Sequence, residues 1–373
     1  MNVLFICDAG NLGGIETHIL TSAQELQRNG HKVVVVSSNP ELGDLLDASK
    51  IKHYTLNLIF LLEWRYILDF PKVLLSVRTL LKILQKEDIT IIHSHGPSTS
   101  AYVAFIVSQI SKVPLIYSIH SKFPMRIFWT FLKRVEPFCP YIIAISDEVR
   151  VFLVNDLMLT GKKIKVVYNG IDLNEYKQST LSDSNHKLLH ISRLDPEKVV
   201  ATLKVIEAIR DVIADIPDIE LVIIGSGEKF EQVKLLIETE NRRYGRDVLR
   251  LIAGVEPSKI PQYIHSSSIV IGAGRVALEA MACEKPVVCI SSGGFGGFVS
   301  GDNSEMLIRH NFSGRGILDI YTSNDVANSL TQLLNNPEMY FDSKVTGKKI
   351  IKMFDLVNTT QEIERIYSNI KEE

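Results

Sequence analysis

The chain has 373 residues, more than one hydrophobic core usually supports, so two domains of about 150–200 residues each are expected. Hydrophobic residues make up 46% and charged residues 23%, which excludes a disordered chain and a fibrous repeat. With 41 basic against 43 acidic residues the net charge is −2, and no general attraction to nucleic acid or to an anionic membrane follows.

In chain order, short β-branched runs at 2–7, 32–36, 90–93, 114–119, 141–145 and 165–167 alternate with longer helical patterns, as βαβ units around a buried parallel sheet do. The first helix, over about 16–29, carries Ile19, Leu20, Ala23 and Leu26 on one face and has Gly30 past its end. Gly13 and Gly14 close the first βα turn, where backbone can approach a ligand and helix-start N–H groups favour negative charge; a tight turn with no ligand is the alternative. The spacing is not that of a dinucleotide fingerprint, which weakens a nicotinamide dehydrogenase. A polar cluster at 178–185 reads as a linker, after which strands are expected at 187–192, 220–224, 248–252, 268–271 and 286–290, with helices beginning near Pro196, Glu228, Pro257 and Arg275. The tail from about Asn336 is helical in pattern. The expected domains are 1–182 and 183–350, both Rossmann-like, with a helix at 351–373 returning to the first. The fold class is α/β.

Glycine turns that end a strand and open a helix recur at Gly225-Ser226-Gly227 and Gly272-Ala273-Gly274, pointing to an anion held at strand ends. Between another strand and helix, Arg193 and Lys198 offer a rigid fork and a compact charge, for which a diphosphate is the natural target; surface pairing of Arg193 with Asp195 or Glu197 is the alternative. Glu279 lies in an apolar helix and needs a partner, either a vicinal diol such as a ribose or a nearby base such as Arg275. Cys7, Cys139, Cys283 and Cys289 show no paired spacing and sit among apolar residues, as reduced core thiols do. The N-terminus lacks the features of a secretory leader, and no apolar stretch reaches membrane-span length, so a cytoplasmic location is expected. Two apolar runs with basic ends, 56–65 and 123–134, suit either core elements or an acceptor groove or peripheral membrane contact at the inner face of the cell membrane.

Taken in order, Gly13-Gly14-Ile15-Glu16, Tyr168-Asn169-Gly170-Ile171-Asp172, the 192–198 segment, Ile224-Gly225-Ser226-Gly227-Glu228, Gly254-Val255 and Leu278-Glu279-Ala280-Met281-Ala282 resemble the retaining glycosyltransferases of family 4 (group 1). The resemblance covers nearly the whole chain. It implies the GT-B fold, two facing Rossmann-like domains with parallel sheets and a deep interdomain cleft. It also implies transfer of a sugar from a nucleotide diphosphate donor, expected to be UDP-linked, to a glycan or glycolipid acceptor in cell-surface polysaccharide or glycoconjugate synthesis. By the resemblance, Arg193 and Lys198 bind the diphosphate and act with His120 in catalysis. Gly14, Gly254, Val255, Gly272, Gly274 and Glu279 line the donor, with Glu279 on the ribose. His93 and His95 resemble a strand-end segment of the family and are ranked as packing or acceptor-side residues rather than metal ligands.

Where the family has the first Glu of its Glu-x7-Glu motif, this chain has Ile271, which bears on donor identity and activity. Arg275 is a candidate to replace part of that contact or to meet an acidic sugar. Asp-x-Asp is absent, so no catalytic metal and no cofactor are expected; the cations and helix starts would stabilise the leaving diphosphate. Other readings are a sugar-nucleotide epimerase or phosphorylase of the same fold, and a non-catalytic sugar-nucleotide binding protein. Nucleic acid is not an expected partner.

Overall fold

The computed structural model describes residues 1–7, 13–58, 66–96, 99–122, 126–178 and 186–372. They form two compact units, 1–170 with the tail from Leu356, and 171–355, so the chain passes between units twice. The expected border at 182/183 therefore moves: residues 171–178 belong with the second unit, tied there by Ile171 N donating to Phe354 O at 2.7 Å. The linker expected at 178–185 lies outside the described residues from 179 on.

The first unit is built on strands β1 (Asn2–Cys7), β2 (Lys32–Ser37), β3 (Lys52–Thr55), β4 (Ile91–His95), β5 (Leu115–Ile119), β6 (Ile142–Ala144) and β7 (Ile164–Val166). They pair in the order β3-β2-β1-β4-β5-β6-β7, and every pairing is parallel. Side chains alternate across the sheet. Leu4, Ile6, Val34 and Val36 pack under helices α3 (Tyr66–Glu87), α4 (Thr99–Ser111), α5 (Arg126–Val135) and α6 (Asp147–Val151). Val3, Phe5, Val33 and Val35 pack under α1 (Gly14–Arg28), α2 (Pro40–Ala48) and the C-terminal helix, numbered α14 in chain order (Leu356–Glu372). Burial on both faces is why these strands read as continuous Val/Ile runs. The tail helix is a full layer of this unit: Ile363, Ile366 and Tyr367 are buried in its core.

The second unit holds β8 (Lys187–Ile191), β9 (Glu220–Ile224), β10 (Leu249–Ile252), β11 (Ile269–Gly272), β12 (Val287–Ser291) and β13 (Gly294–Phe298), ordered β10-β9-β8-β11-β12-β13. Its helices are α7 (Val199–Asp215), α8 (Phe230–Tyr244), α9 (Ile260–His265), α10 (Arg275–Ala282), α11 (Ser304–Arg309), α12 (Ser323–Asn335) and α13 (Pro337–Ile350). This sheet is parallel as expected from β10 to β12, and β13 turns straight back to pair antiparallel with β12. Its sequence, Gly294-Phe295-Gly296-Gly297-Phe298, is glycine-rich because another backbone comes close: a Cβ on Gly294 would lie 2.5 Å from Gly314 O. The four cysteines are free and buried, and burial pushes Cys139, Cys283 and Cys289 up to about 12, leaving unreactive thiols.

Candidate functional site

Each sheet reverses its strand order once, between β1 and β4 in the first unit and between β8 and β11 in the second. In open α/β sheets, ligands bind beyond the carboxyl ends of strands at such a reversal. The sequence-predicted residues of the second unit gather there. Arg193 and Lys198 follow β8, Gly225 and Gly227 follow β9, Gly254 and Val255 follow β10, and Gly272 and Gly274 end β11 and cap α10.

The 192–198 segment is fastened to the β9–α8 turn by backbone bonds, Leu194 N to Ser226 O at 2.8 Å and Lys229 N to Leu194 O at 2.9 Å, and the Leu194 side chain is fully buried. Two glycines make that approach possible. A Cβ at Gly225 would sit 2.2 Å from Ser192 O, and Gly227, at φ +146°, would place one 2.6 Å from the Leu194 carbonyl carbon. With Leu194 anchored, Arg193 remains solvent-accessible, and its Nε meets Asp195 Oδ2 at 3.2 Å. This is the surface pair that the spacing offered as an alternative, a contact of about 0–1 kcal/mol that a diphosphate can displace. Lys198 is solvent-exposed; partial desolvation, then the nearby Arg193 charge, push its ammonium below the usual lysine range. Two neighbouring cations would be relieved by an anion.

On α10, Glu279 is 6% exposed and its Oε1 accepts from Arg275 Nε at 2.7 Å. It is also hydrogen-bonded to Tyr176. Burial raises the Glu279 carboxyl, and Arg275 and Tyr176 oppose the rise. Burial likewise raises the neighbouring Glu175, against the pull of Arg275. Tyr176 and Glu175 were not foreseen; nothing in their local pattern distinguishes them from a polar loop. Gly272 packs against α10, where a Cβ would come within 2.7 Å of Val276 Cγ1, and Gly274 begins that helix at φ +56°. Gly254 is exposed, and a Cβ there would touch Ser226 Oγ at an ordinary 3.5 Å.

Ile271 is in β11, wholly buried, and part of the apolar core of the unit. Its carbonyl faces His190 Nδ1 at 3.0 Å, while His190 Nε2 meets Thr202 Oγ1 at 3.0 Å. Burial lowers His190 to about 4, so the ring is neutral at physiological pH.

In the first unit, Gly14 opens α1 and a Cβ there would meet nothing within 4 Å among the described residues. Residues 8–12 of the same turn lie outside the described residues. His120 follows β5 and joins His18 of α1 and His95 of β4 in a buried cluster on the α1 side of the sheet. His95 Nδ1 and His120 Nε2 are 3.3 Å apart. His93, two residues along β4, contacts Tyr367 Oη at 2.6 Å and Ser118 Oγ at 2.7 Å, which makes it a packing residue. Burial lowers His93 to about 3 and His120 to about 4, and holds His95 well below the ordinary imidazole range. Of the two apolar runs, 59–65 and 123–125 lie outside the described residues. In α5, Phe128, Trp129 and Leu132 are core residues, while Ile127 is exposed. Among the described residues, no helix is long and apolar enough to cross a membrane.

Comparison with known proteins agrees with this geometry. Residues 12–175 match the model of Glycosyltransferase Family 4, and residues 173–349 that of Glycosyl transferases group 1. The GPI3 subunit of phosphatidylinositol N-acetylglucosaminyltransferase from Saccharomyces cerevisiae is 24% identical over 401 residues, covering 99% of this chain and 83% of that protein. An Escherichia coli UDP-Gal:alpha-D-GlcNAc-diphosphoundecaprenol alpha-1,3-galactosyltransferase is 24% identical over 320 residues, covering 78% of each. The crystal structure of Anabaena HepE in complex with UDP and glucose superposes with a TM-score of 0.76 at 21% identity, covering 99% of this chain and 100% of that one. The chain is a glycosyltransferase of the group 1 family, with the GT-B fold.

Proposed function

We propose that the chain transfers a sugar, with retention of anomeric configuration, from a UDP-linked donor bound by the second unit to a glycan or lipid-linked acceptor bound by the first. The observation that carries this reading is the gathering of Arg193, Lys198, the glycine turns and Glu279 at the carboxyl ends of β8, β9 and β11. A diphosphate fits the two cations and the start of α7, and a ribose diol fits the buried Glu279 carboxylate. Arg275, bonded to Glu279, orients it, and Gly254 and Val255 border the base. By the resemblance, Gly14 is also assigned to the donor phosphates and His120 to the donor sugar. The activities that name the yeast and Escherichia coli relatives involve a lipid and a lipid-linked acceptor, which supports an acceptor of that class and work at the inner face of the membrane.

Retention would follow from attack on the same face as the departing phosphate, which takes the acceptor proton. Arg193, Lys198 and helix-start N–H groups stabilise the charge on the leaving diphosphate, so no metal is required at that point. The test is Arg193→Ala and Lys198→Ala, with UDP affinity by calorimetry and donor turnover by product release. Each charge-assisted contact is worth about 1.5–3 kcal/mol, so UDP affinity is expected to fall about 10- to 150-fold in each. Near-normal turnover in both would sink the assignment. One observation favours a second reading, a non-catalytic sugar-nucleotide binding protein: Ile271 is sealed in the core, so position 271 offers the donor sugar no group. UDP binding without turnover of any donor and acceptor pair would support that reading.

A further inference from the structure

The chain treats its buried histidines in two ways. His93 and His190 have polar contacts at both ring nitrogens, His93 to Tyr367 and Ser118, and His190 to the Ile271 carbonyl and Thr202. His95 and His120 are equally buried, yet His95 Nδ1 faces His120 Nε2 at 3.3 Å, while His95 Nε2 and His120 Nδ1 have no hydrogen-bond partner. Imidazoles that face one another in this way cost folding free energy that Val or Ile at the same positions would not. His18 completes the group: its ring centroid lies 5.8 Å from that of His95 and 5.4 Å from that of His120, and His95 and His120 are 5.5 Å apart. One ring nitrogen from each of the three lies within 4.8 Å of the others. The group stands at the carboxyl edge of β4 and β5, beside the strand-order reversal of the first unit.

We propose that His18, His95 and His120 form a binding site for a divalent transition metal of the Zn2+ class. Zinc–nitrogen bonds of about 2.0–2.1 Å set tetrahedral ligand nitrogens about 3.3 Å apart, and the facing nitrogens His95 Nδ1 and His120 Nε2 already stand at 3.3 Å. His18 brings a third ring nitrogen within 4.8 Å. Ligation requires neutral imidazole, the form that burial favours at His95 and His120. Among the described residues the group holds three nitrogens and no carboxylate oxygen, which suits zinc rather than magnesium, calcium or manganese. Three protein ligands leave a tetrahedral ion one position for water or a substrate oxygen. All three histidines belong to the first unit, and the proposal does not rest on the glycosyl-transfer reading.

The test uses the full chain, stripped with a chelator and then dialysed against Zn2+, with metal content by mass spectrometry. About one tightly held Zn2+ per chain is expected, with Co2+ substitution giving the intense visible absorption of a four-coordinate ion. His18→Gln and His120→Gln should each weaken Zn2+ binding at least about 10-fold, while His186→Gln, a surface histidine of the other unit, should leave it unchanged. The Co2+ spectrum of the native chain needs no variant to fold. Binding below about 0.1 equivalent, a weak six-coordinate Co2+ spectrum, or equal Zn2+ affinity in folded His18→Gln and His120→Gln would overturn the proposal.

Discussion

Installing the carboxylate that the family motif carries, by Ile271→Glu, should damage the protein rather than improve it. Ile271 is 0% exposed in β11, between β8 and β12, among Leu188, Val288 and Ile269 of the apolar core. A glutamate there would be protonated near neutral pH; a carboxyl raised by about 3 units costs about 4 kcal/mol at pH 7. Loss of the buried isoleucine adds about 2 kcal/mol. The total of about 6 kcal/mol is comparable to the whole stability of many domains. Ile271→Val, which keeps the apolar character, should cost only about 0.5–1.5 kcal/mol. Urea unfolding of both variants, together with donor turnover, measures this. If Ile271→Glu unfolds at the native urea concentration and gains turnover, the side chain at 271 faces the donor and the argument from burial is wrong.

Three further outcomes follow from the geometry. Gly225→Ala pushes a methyl to 2.2 Å from Ser192 O, so it should cost about 1–3 kcal/mol in a thermal melt and weaken UDP binding by shifting Arg193, whereas Gly254→Ala, with 3.5 Å to its nearest neighbour, should melt as the native chain does. Arg210→Met strips the bidentate partner, at 2.7 and 2.9 Å, from the buried Glu240 carboxylate and should cost about 1–3 kcal/mol at pH 7. Arg210 holds the Glu240 carboxyl below its ordinary 4.5, so this stabilisation is full above pH 4.5 and fades as pH falls through the lower folded value; urea midpoints of native and variant should converge in acid. Tyr367→Phe removes the 2.6 Å contact to His93 Nδ1 and should cost about 1–3 kcal/mol, with faster amide exchange in α14; unchanged exchange would show that α14 docks without it.

Legibility followed burial. The central strands of both sheets read directly from Val/Ile runs, because a strand covered on both faces has no polar side to disguise it. The two missed strands are edges. β3 is Lys52-His53-Tyr54-Thr55, partly exposed and recognisable only by its register with β2, and β13 is dominated by glycine. Arg193, Lys198 and Glu279 could be singled out because each sits in a short ordered motif. The histidine cluster was not. His18 lies on a helix, His95 ends one strand and His120 follows another, and only the parallel β1–β4–β5 register brings them onto one face. The border between units was misplaced for a related reason: the polar stretch at 178–185 marks solvent exposure, whereas the border is set by where Ile171 and Phe354 join backbones.

The pairing of Glu279 with Arg275 does not compete with a sugar ligand. An ionised carboxylate can accept about four hydrogen bonds, and Arg275 Nε occupies one site on Oε1. Tyr176 adds a second contact. Burial works against the ionised form that accepts from a diol with both oxygens; these two donors work against that shift. Arg275 at the first turn of α10, an apolar position in the family motif, thus has a physical reason that does not involve touching substrate: it favours the ionised form of Glu279. On that account Arg275→Ala should weaken UDP affinity as Glu279→Gln does, and the double variant should be no worse than either single one. Additive losses would mean that Arg275 acts on the ligand directly.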